Sequence, residues 1–368
     1  MPNRQINVLV VDDSATVRSA FSAIIRADAG LSLFATASDP FIAVERMKKG
    51  LPDVILLDLE LPNMDGLTFL KKIMSQRPMP VVVCSSYTEA GSQGALKALD
   101  LGAAEVLAKP RLDTQVARAE AAVQIGDALR AAVSSRHGDA TRRPAPAFVP
   151  GEKYSADVVL PHRPPKPVPE TMPIVAIGAS TGGTEALRDV LTALPAEAPA
   201  IAVVQHMPEK FTHAFANRLN TLCRIEVREA ENGDVMTRGT ALIAPGNHHM
   251  ILRRSGTSYR VDVVNGPYVS RHRPSVDVLF RSVAQAAGAN ALGIIMTGMG
   301  DDGAAGMAEM HASGARTVAQ DEASSVVWGM PREAIDAGGV DKVVALQRIA
   351  KEIDSHAQLA VKPGRVAR

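Results

Sequence analysis

Aromatic residues are scarce in this chain, at 4% of 368 residues with a single Trp. Any core must therefore be built from Val, Ile, Leu, Ala and Met, a mixture that suits buried parallel strands flanked by helices. Cysteine is nearly absent. Cys84 and Cys223 lie far apart without metal-ligand spacing, which argues against a disulfide framework and fits a reducing compartment. Neither charge sign dominates: the formal net charge is +1, which argues against a protein that coats nucleic acid or anionic membrane. No apolar run reaches the length of a membrane span. The opening MPNRQINVLVVDD has no long apolar stretch before its acidic pair. Neither membrane insertion nor a secretory signal is expected, and the expected location is the cytoplasm.

What the chain does have is length and alternation. A chain of 368 residues exceeds a comfortable single core, so two domains are expected. From Ile6 to about Val133, the apolar runs INVLVV, LSLFATA, DVILLD, PVVVCS and EVLAK read as strands. Helical segments such as Ser14 to Ala27 and Asp39 to Lys49 separate them, and Asp39-Pro40 is a strong helix start. Five such repeats imply an open parallel sheet with helices on both faces. Between about Arg136 and Met172, eight prolines remove all periodicity, which reads as an extended linker or an arm laid on one domain. Alternation then resumes with IVAIG, AIAVVQ, TALIA and ALGIIMT, and a hairpin is expected between His249 and Val264 around Ser255-Gly256. The fold class is α/β: two doubly wound open-sheet domains, the first flavodoxin-like, the second mainly parallel with an added hairpin.

If the first five strands lie in order 2-1-3-4-5, then Asp12, Asp13, Asp58, Ser85 and Lys109 all sit at strand carboxyl ends, where such sheets bind ligands. Three crowded carboxylates call for a hard divalent cation, and Mg²⁺ suits the set. Asp58 then has the position of a nucleophile toward a phosphoryl donor, Ser85 of a hydrogen-bond donor, and Lys109 of a charge partner. Pro110 admits either peptide isomer. The motifs VLVVDDS, VILLDLELPNMDG, VVVCSS and AKP resemble the receiver domains of two-component signalling. That resemblance implies Asp58 as phosphoacceptor, Asp12 and Asp13 as acidic metal-site residues, and Ser85 and Lys109 as switch residues. Tyr87 is read as a surface residue.

In the second half, IVAIGASTGG places Ser180 between glycines at a strand-to-helix turn that exposes its hydroxyl near free helix N–H groups. A phosphate-binding loop is the rival reading, although the glycine pattern matches neither the dinucleotide nor the P-loop fingerprint. Of nine histidines, His206 ends the run AIAVVQ at the same sheet edge. His248, His249 and His272 lie in turns and stay open, while His213 and His311 read as ordinary helix residues. Asp301 and Asp302 follow ALGIIMT in a glycine-rich loop before a helix. One of them is expected to cap that helix, a carboxylate there can orient an imidazole, and the Met299 N–H can face an oxyanion.

GASTGG, VVQHMP, HRPSVDVLF, MTGMGDDGAAG and SSVVWGMPREAI, in this order behind a receiver, resemble the chemotaxis protein-glutamate methylesterase family, CheB. The resemblance implies Ser180 as nucleophile, His206 as base and Asp302 as its orienting carboxylate. It makes Arg273, Ser275 and Asp277 structural or substrate-positioning. It implies hydrolysis of receptor glutamate methyl esters without a cofactor, deamidation of receptor glutamines, methyl-accepting chemoreceptors as substrates, and a chemotaxis histidine kinase as phosphoryl donor. Expected boundaries are 5–125 for the receiver, 126–171 for the linker and 172–360 for the catalytic domain. A non-enzymatic response regulator and a receiver-gated hydrolase of small esters are the competing readings. A DNA-binding regulator lacks the basic helix it would need.

Overall fold

The computed structural model describes residues 4–86, 88–110, 114–137 and 153–359. The chain divides into two compact units, Met1–Glu152 and Lys153–Arg368.

The first unit runs β1 (Ile6–Val11), α1 (Ala15–Ala27), β2 (Leu31–Ala37), α2 (Pro40–Lys48), β3 (Val54–Asp58), α3 (Gly66–Gln76), β4 (Val81–Ser85), α4 (Glu89–Asp100), β5 (Glu105–Ala108) and α5 (Gln115–His137). Its five strands are all parallel, in the order β2-β1-β3-β4-β5. β3 and β4 are buried along their whole length, which is why they read as unbroken apolar runs. Phe21 and Ile25 of α1 and Ile125 and Leu129 of α5 pack with Val8, Val10 and Leu56 in one cluster. Asp39 accepts the N–H groups of Phe41 and Ile42 at 2.8 and 2.9 Å with Pro40 in the first turn, as its sequence context predicts. Helix α5 continues to His137, beyond residue 125, and a buried Arg130–Asp28 pair at 2.8 Å ties it to the end of α1.

The second unit contains β6 (Ile174–Ala179), α6 (Gly183–Thr192), β7 (Ala200–Gln205), α7 (Phe211–Leu222), β8 (Glu226–Glu229), β9 (Thr240–Ile243), β10 (His249–Ser255) and β11 (Ser258–Val264). It continues through α8 (Val276–Ala287), β12 (Ala291–Ile295), α9 (Ala304–Ala312), β13 (Arg316–Gln320), α10 (Met330–Asp336), β14 (Lys342–Val344) and α11 (Leu346–Leu359). Seven strands form a parallel sheet in the order β14-β13-β12-β6-β7-β9-β8. The hairpin β10-β11 forms a separate two-stranded sheet, and Val235 adds an isolated antiparallel bridge to it at Arg260. A lone hairpin needs an apolar cover, and here Leu252, Tyr259 and Val261 share a cluster with Leu279, Phe280 and Val283 of α8.

Residues 153–171, within the expected linker, lie along this second unit. Ala156 and Leu160 join Ile251, Val269 and Val278 in a satellite apolar cluster. Prolines give the arm few N–H donors, so its carbonyls are met by side chains of the unit. Arg281 donates to Leu160 O at 3.0 Å, Gln285 to Pro161 O at 3.0 Å and Asn290 to Pro169 O at 2.9 Å. No helix among the described residues is long and apolar enough to cross a membrane.

Candidate active site

In the first unit, the parallel register pairs Asp58 with Cys84 and Ser85 with Ala108, so Asp58, Ser85 and Lys109 share the carboxyl edge with Asp12 and Asp13. Asp12 and Asp58 are buried, Asp13 is exposed, and their oxygens lie within 4.8 Å of one another. Lys109 Nζ stands 2.6 Å from Asp58 Oδ2 and 3.1 Å from Asp12 Oδ2. Burial pushes the Asp58 carboxyl up, only partly offset by Lys109. Burial opposes the Lys109 ammonium, but Asp58 and Asp12 outweigh it and raise its pKa. One ammonium, shared between Asp58 Oδ2 and Asp12 Oδ2, against three carboxylates leaves this crevice short of positive charge. Such an oxygen set fits a hard divalent cation. Ser85 is fully buried, and its hydroxyl donates to Gly91 O at 3.2 Å. Among the described residues the cis X–Pro bond is Arg273–Pro274, so Lys109–Pro110 is trans. Tyr87 lies outside the described residues.

In the second unit, β7, β6 and β12 are neighbours in the middle of the sheet. Ala179 pairs with Gln205, so Ser180 and His206 follow side by side, and the His206 N–H donates to Ala179 O at 3.1 Å. The Ser180 backbone is held from both neighbouring strands: its N–H donates to Thr297 O at 3.0 Å, and Gln205 Nε2 donates to its carbonyl at 2.9 Å. Two glycines make the turn possible. Gly182 has φ 76°, and a Cβ on Gly183 would stand 2.2 Å from Gln205 Oε1.

His206 Nε2 lies 2.8 Å from Asp302 Oδ2. Asp302 is completely buried and accepts three more bonds. Its Oδ1 takes Ser275 Oγ–H at 2.8 Å and the Asp277 N–H at 3.0 Å, and its Oδ2 takes the Val276 N–H at 2.8 Å. These N–H groups form the first turn of α8, where a negative charge is favoured. Burial alone would push this carboxyl up, but the His206 hydrogen bond and the helix donors outweigh it and hold the pKa at about 2. An ionised carboxylate only accepts, so His206 Nε2 carries the proton and Nδ1 holds the lone pair. Nδ1 is buried and has no hydrogen-bond partner among the described residues.

The His272 ring stacks on His206 with centroids 3.7 Å apart and planes 5° from parallel. Its Nδ1–H donates to Ser270 O at 2.8 Å. Burial, and then His206, push its pKa down to about 3, so the ring is neutral. Atoms of His206, His272 and Asp302 cluster within 4.8 Å, as in a metal site. Imidazole lone pairs lie in the ring plane, however, and two near-parallel planes 3.7 Å apart meet at no common ion position.

Two expectations need adjustment. Neither Asp301 nor Asp302 caps the following helix with its side chain: the N-cap of α9 is Gly303. Asp302 serves the first turn of α8 instead, and Asp301 pairs with Lys153. The Met299 N–H meets no acceptor among the described residues. Its neighbour Gly298 is so close to the nucleophile turn that a Cβ there would stand 2.8 Å from Ser180 Cβ. Sequence reasoning missed the roles of Gln205, of the Ser275 hydroxyl and of His249, whose Nδ1 accepts the Ser275 N–H at 3.2 Å. His213 and His311 sit on α7 and α9, away from this cluster.

The chain matches two family models: CheB methylesterase over residues 175–353, and response regulator receiver domain over residues 8–120. It is 60% identical over 346 residues to the protein-glutamate methylesterase/protein-glutamine glutaminase of group 3 operon of Cereibacter sphaeroides, covering 94% of each chain. It is 56% identical over 351 residues to protein-glutamate methylesterase/protein-glutamine glutaminase 3 of Geobacter metallireducens, covering 95% of this chain and 98% of that one. Among solved structures, the Thermotoga maritima CheB methylesterase catalytic domain aligns with TM-score 0.49 and 33% identity, over 50% of this chain and 98% of that one.

Proposed function

This chain belongs to the CheB methylesterase family with a response regulator receiver domain in front, and from that premise we infer that Ser180, His206 and Asp302 hydrolyse glutamate γ-methyl esters on chemoreceptors under control of phosphorylation at Asp58. The protein is a protein-glutamate methylesterase and protein-glutamine glutaminase. We assign the receiver role to residues 5–125 and the catalytic role to residues 172–360, with the intervening arm carried along the second unit from residue 153.

The carrying observation is the His206 ring: Nε2 faces an ionised Asp302, and Nδ1 is buried with a free lone pair. Nδ1 takes the Ser180 proton as the serine oxygen attacks the ester carbonyl. The Met299 N–H donates to the oxyanion. Protonated His206, stabilised by Asp302, gives its proton to the leaving methoxide, and methanol departs. Water then attacks the acyl-enzyme with Nδ1 again as base, releasing the glutamate carboxylate. A receptor glutamine follows the same course with ammonia as leaving group.

In the receiver, Asp12, Asp13 and Asp58 would hold Mg²⁺, which supplies charge neutralisation for the carboxylates and the incoming phosphoryl group. Asp58 accepts the phosphoryl group from a chemotaxis histidine kinase. Lys109 pairs with the new charge, and Ser85 leaves the Gly91 carbonyl to bond a phosphoryl oxygen. That exchange is the switch that raises esterase activity.

The decisive test is methanol release from methylated chemoreceptor membranes by the wild-type protein and by Ser180→Ala. Release that vanishes in the variant is expected; release that survives it removes Ser180 as nucleophile.

A further inference from the structure

The proline-rich arm delivers a cation to the edge of the triad. Lys153 forms an ion pair with Asp301, the residue next to Asp302. The following residue, Tyr154, accepts the Ser270 N–H on its carbonyl at 2.9 Å. Ser270 O in turn accepts His272 Nδ1–H at 2.8 Å, and the His272 ring lies 3.7 Å from His206. Downstream, Asp157 pairs with buried Arg281 at 2.9 Å, while Ala156 and Leu160 fill the satellite cluster. The Lys153 backbone is therefore held by a bonded neighbour and an anchored arm, unlike a loose surface lysine.

We propose that Lys153 is a positioning residue for ester hydrolysis, its ammonium cancelling the Asp301 charge beside the triad so that His206 remains an unprotonated base at lower pH. The proposal rests on the Ser180–His206–Asp302 reading. A bare Asp301 carboxylate favours imidazolium over imidazole at the triad and so withholds the Nδ1 lone pair. That charge acts upward on both His272, which burial and His206 nevertheless push down, and Asp277, which burial and Asp302 chiefly raise. The titratable and charged groups around His206 are Asp302 in contact, His272 stacked on the ring, Asp277, His249 and Arg273 beyond Asp302, and the Asp301–Lys153 pair. Asp302, Asp277 and His249 are buried and fixed in hydrogen bonds of the site. Lys153 and Asp301 are 38% and 48% exposed, so either charge can be removed without unmaking a catalytic hydrogen bond.

The test uses the full chain and a small neutral serine-directed phosphonate, which needs no receptor. The rate of Ser180 labelling is followed from about pH 5 to about pH 8, where a histidine base titrates. Lys153→Met moves the acid limb up by roughly 0.2 to 0.7 pH unit, as expected for a partly exposed pair. Asp301→Asn moves it down by a similar amount, because Lys153 then stands uncompensated. The double variant returns to the wild-type midpoint, and Lys153→Arg keeps it. Superimposable midpoints for wild type, Lys153→Met and Asp301→Asn overturn the proposal, as does a lower plateau with an unmoved midpoint. A wild-type protein that fails to label would instead overturn the underlying site assignment.

Discussion

Replacing Asp302 with Asn keeps the shape of the side chain and removes its charge. The structure allows the cost to be worked out. Each carboxylate oxygen accepts two hydrogen bonds, and one of each two comes from the backbone of α8: Asp277 N–H on Oδ1, Val276 N–H on Oδ2. An amide has one accepting end and one donating end. Whichever way it turns, its NH₂ faces a helix N–H that cannot rotate away. The second donor on Oδ1 is the Ser275 hydroxyl, which can swing; that on Oδ2 is His206, which can only accept by moving its proton to Nδ1. With Asp302 at 0% exposure, solvent offers no substitute. An orphaned buried donor costs about 1–3 kcal/mol, and two are created, so the catalytic unit loses roughly 2–6 kcal/mol. At roughly 2–4 °C per kcal/mol for a unit of this size, its melting point falls by about 4 to 24 °C. Catalysis suffers separately, because the base loses its fixed tautomer and the partner of its imidazolium; triads lose on the order of 10⁴ in rate by this change. Scanning calorimetry and phosphonate labelling of Asp302→Asn measure the two effects. An unchanged melting point with labelling within about tenfold of wild type would refute the ionised-acceptor account.

The first unit was legible because its strands are buried on both faces and its five chemical residues each end or follow an apolar run. Ser180, His206 and Asp302 were legible for the same reason: each lies just past a buried strand. Strands β8, β13 and β14 escaped notice. EVRE, RTVAQ and KVV each carry only one or two apolar residues, so pairing within the sheet rather than periodicity makes them strands. The partner of Asp302 was hidden by distance along the chain. Sequence adjacency pointed to α9, whereas the donors lie 25 to 27 residues upstream at the start of α8. The arm was hidden in the same way. Its prolines advertise only irregular chain, and the Arg281, Gln285 and Asn290 side chains that satisfy it are 121 to 124 residues away.

Two further outcomes test the division of labour between the units. Asp58→Asn abolishes alkali-labile, hydroxylamine-sensitive phosphoryl labelling by a kinase or small phosphodonor, while Ser180 labelling by phosphonate persists; phosphorylation that survives removes Asp58 as acceptor. Chelation of divalent cations stops phosphorylation and leaves ester hydrolysis by the unphosphorylated protein unchanged, and loss of both activities would contradict a metal-free esterase. The stability of the catalytic unit should also fall as pH drops below about 6.5, and the sign follows from its buried groups. His272 and His356 are pushed down from 6.5 to about 3 and about 4, chiefly by burial, so between about pH 4 and 6.5 only the unfolded chain takes up their two protons. Asp277 works the other way: burial and the Asp302 charge raise it from 3.8 to about 7, so the folded state alone keeps its proton through that window. Two protons against one leave the unfolded state about one proton richer, and stability rises with pH by about 1.4 kcal/mol per unit. His249, also pushed down by burial, acts on the same side as the other two histidines. Urea unfolding at several pH values across the window measures the slope. His356 bonds Asn290 O at 3.1 Å, remote from the triad, so His356→Gln keeps a donor there while removing one of the two protons and flattening the slope. A wild-type slope that is flat or reversed would show that the folded state admits these protons, contrary to the burial of both rings.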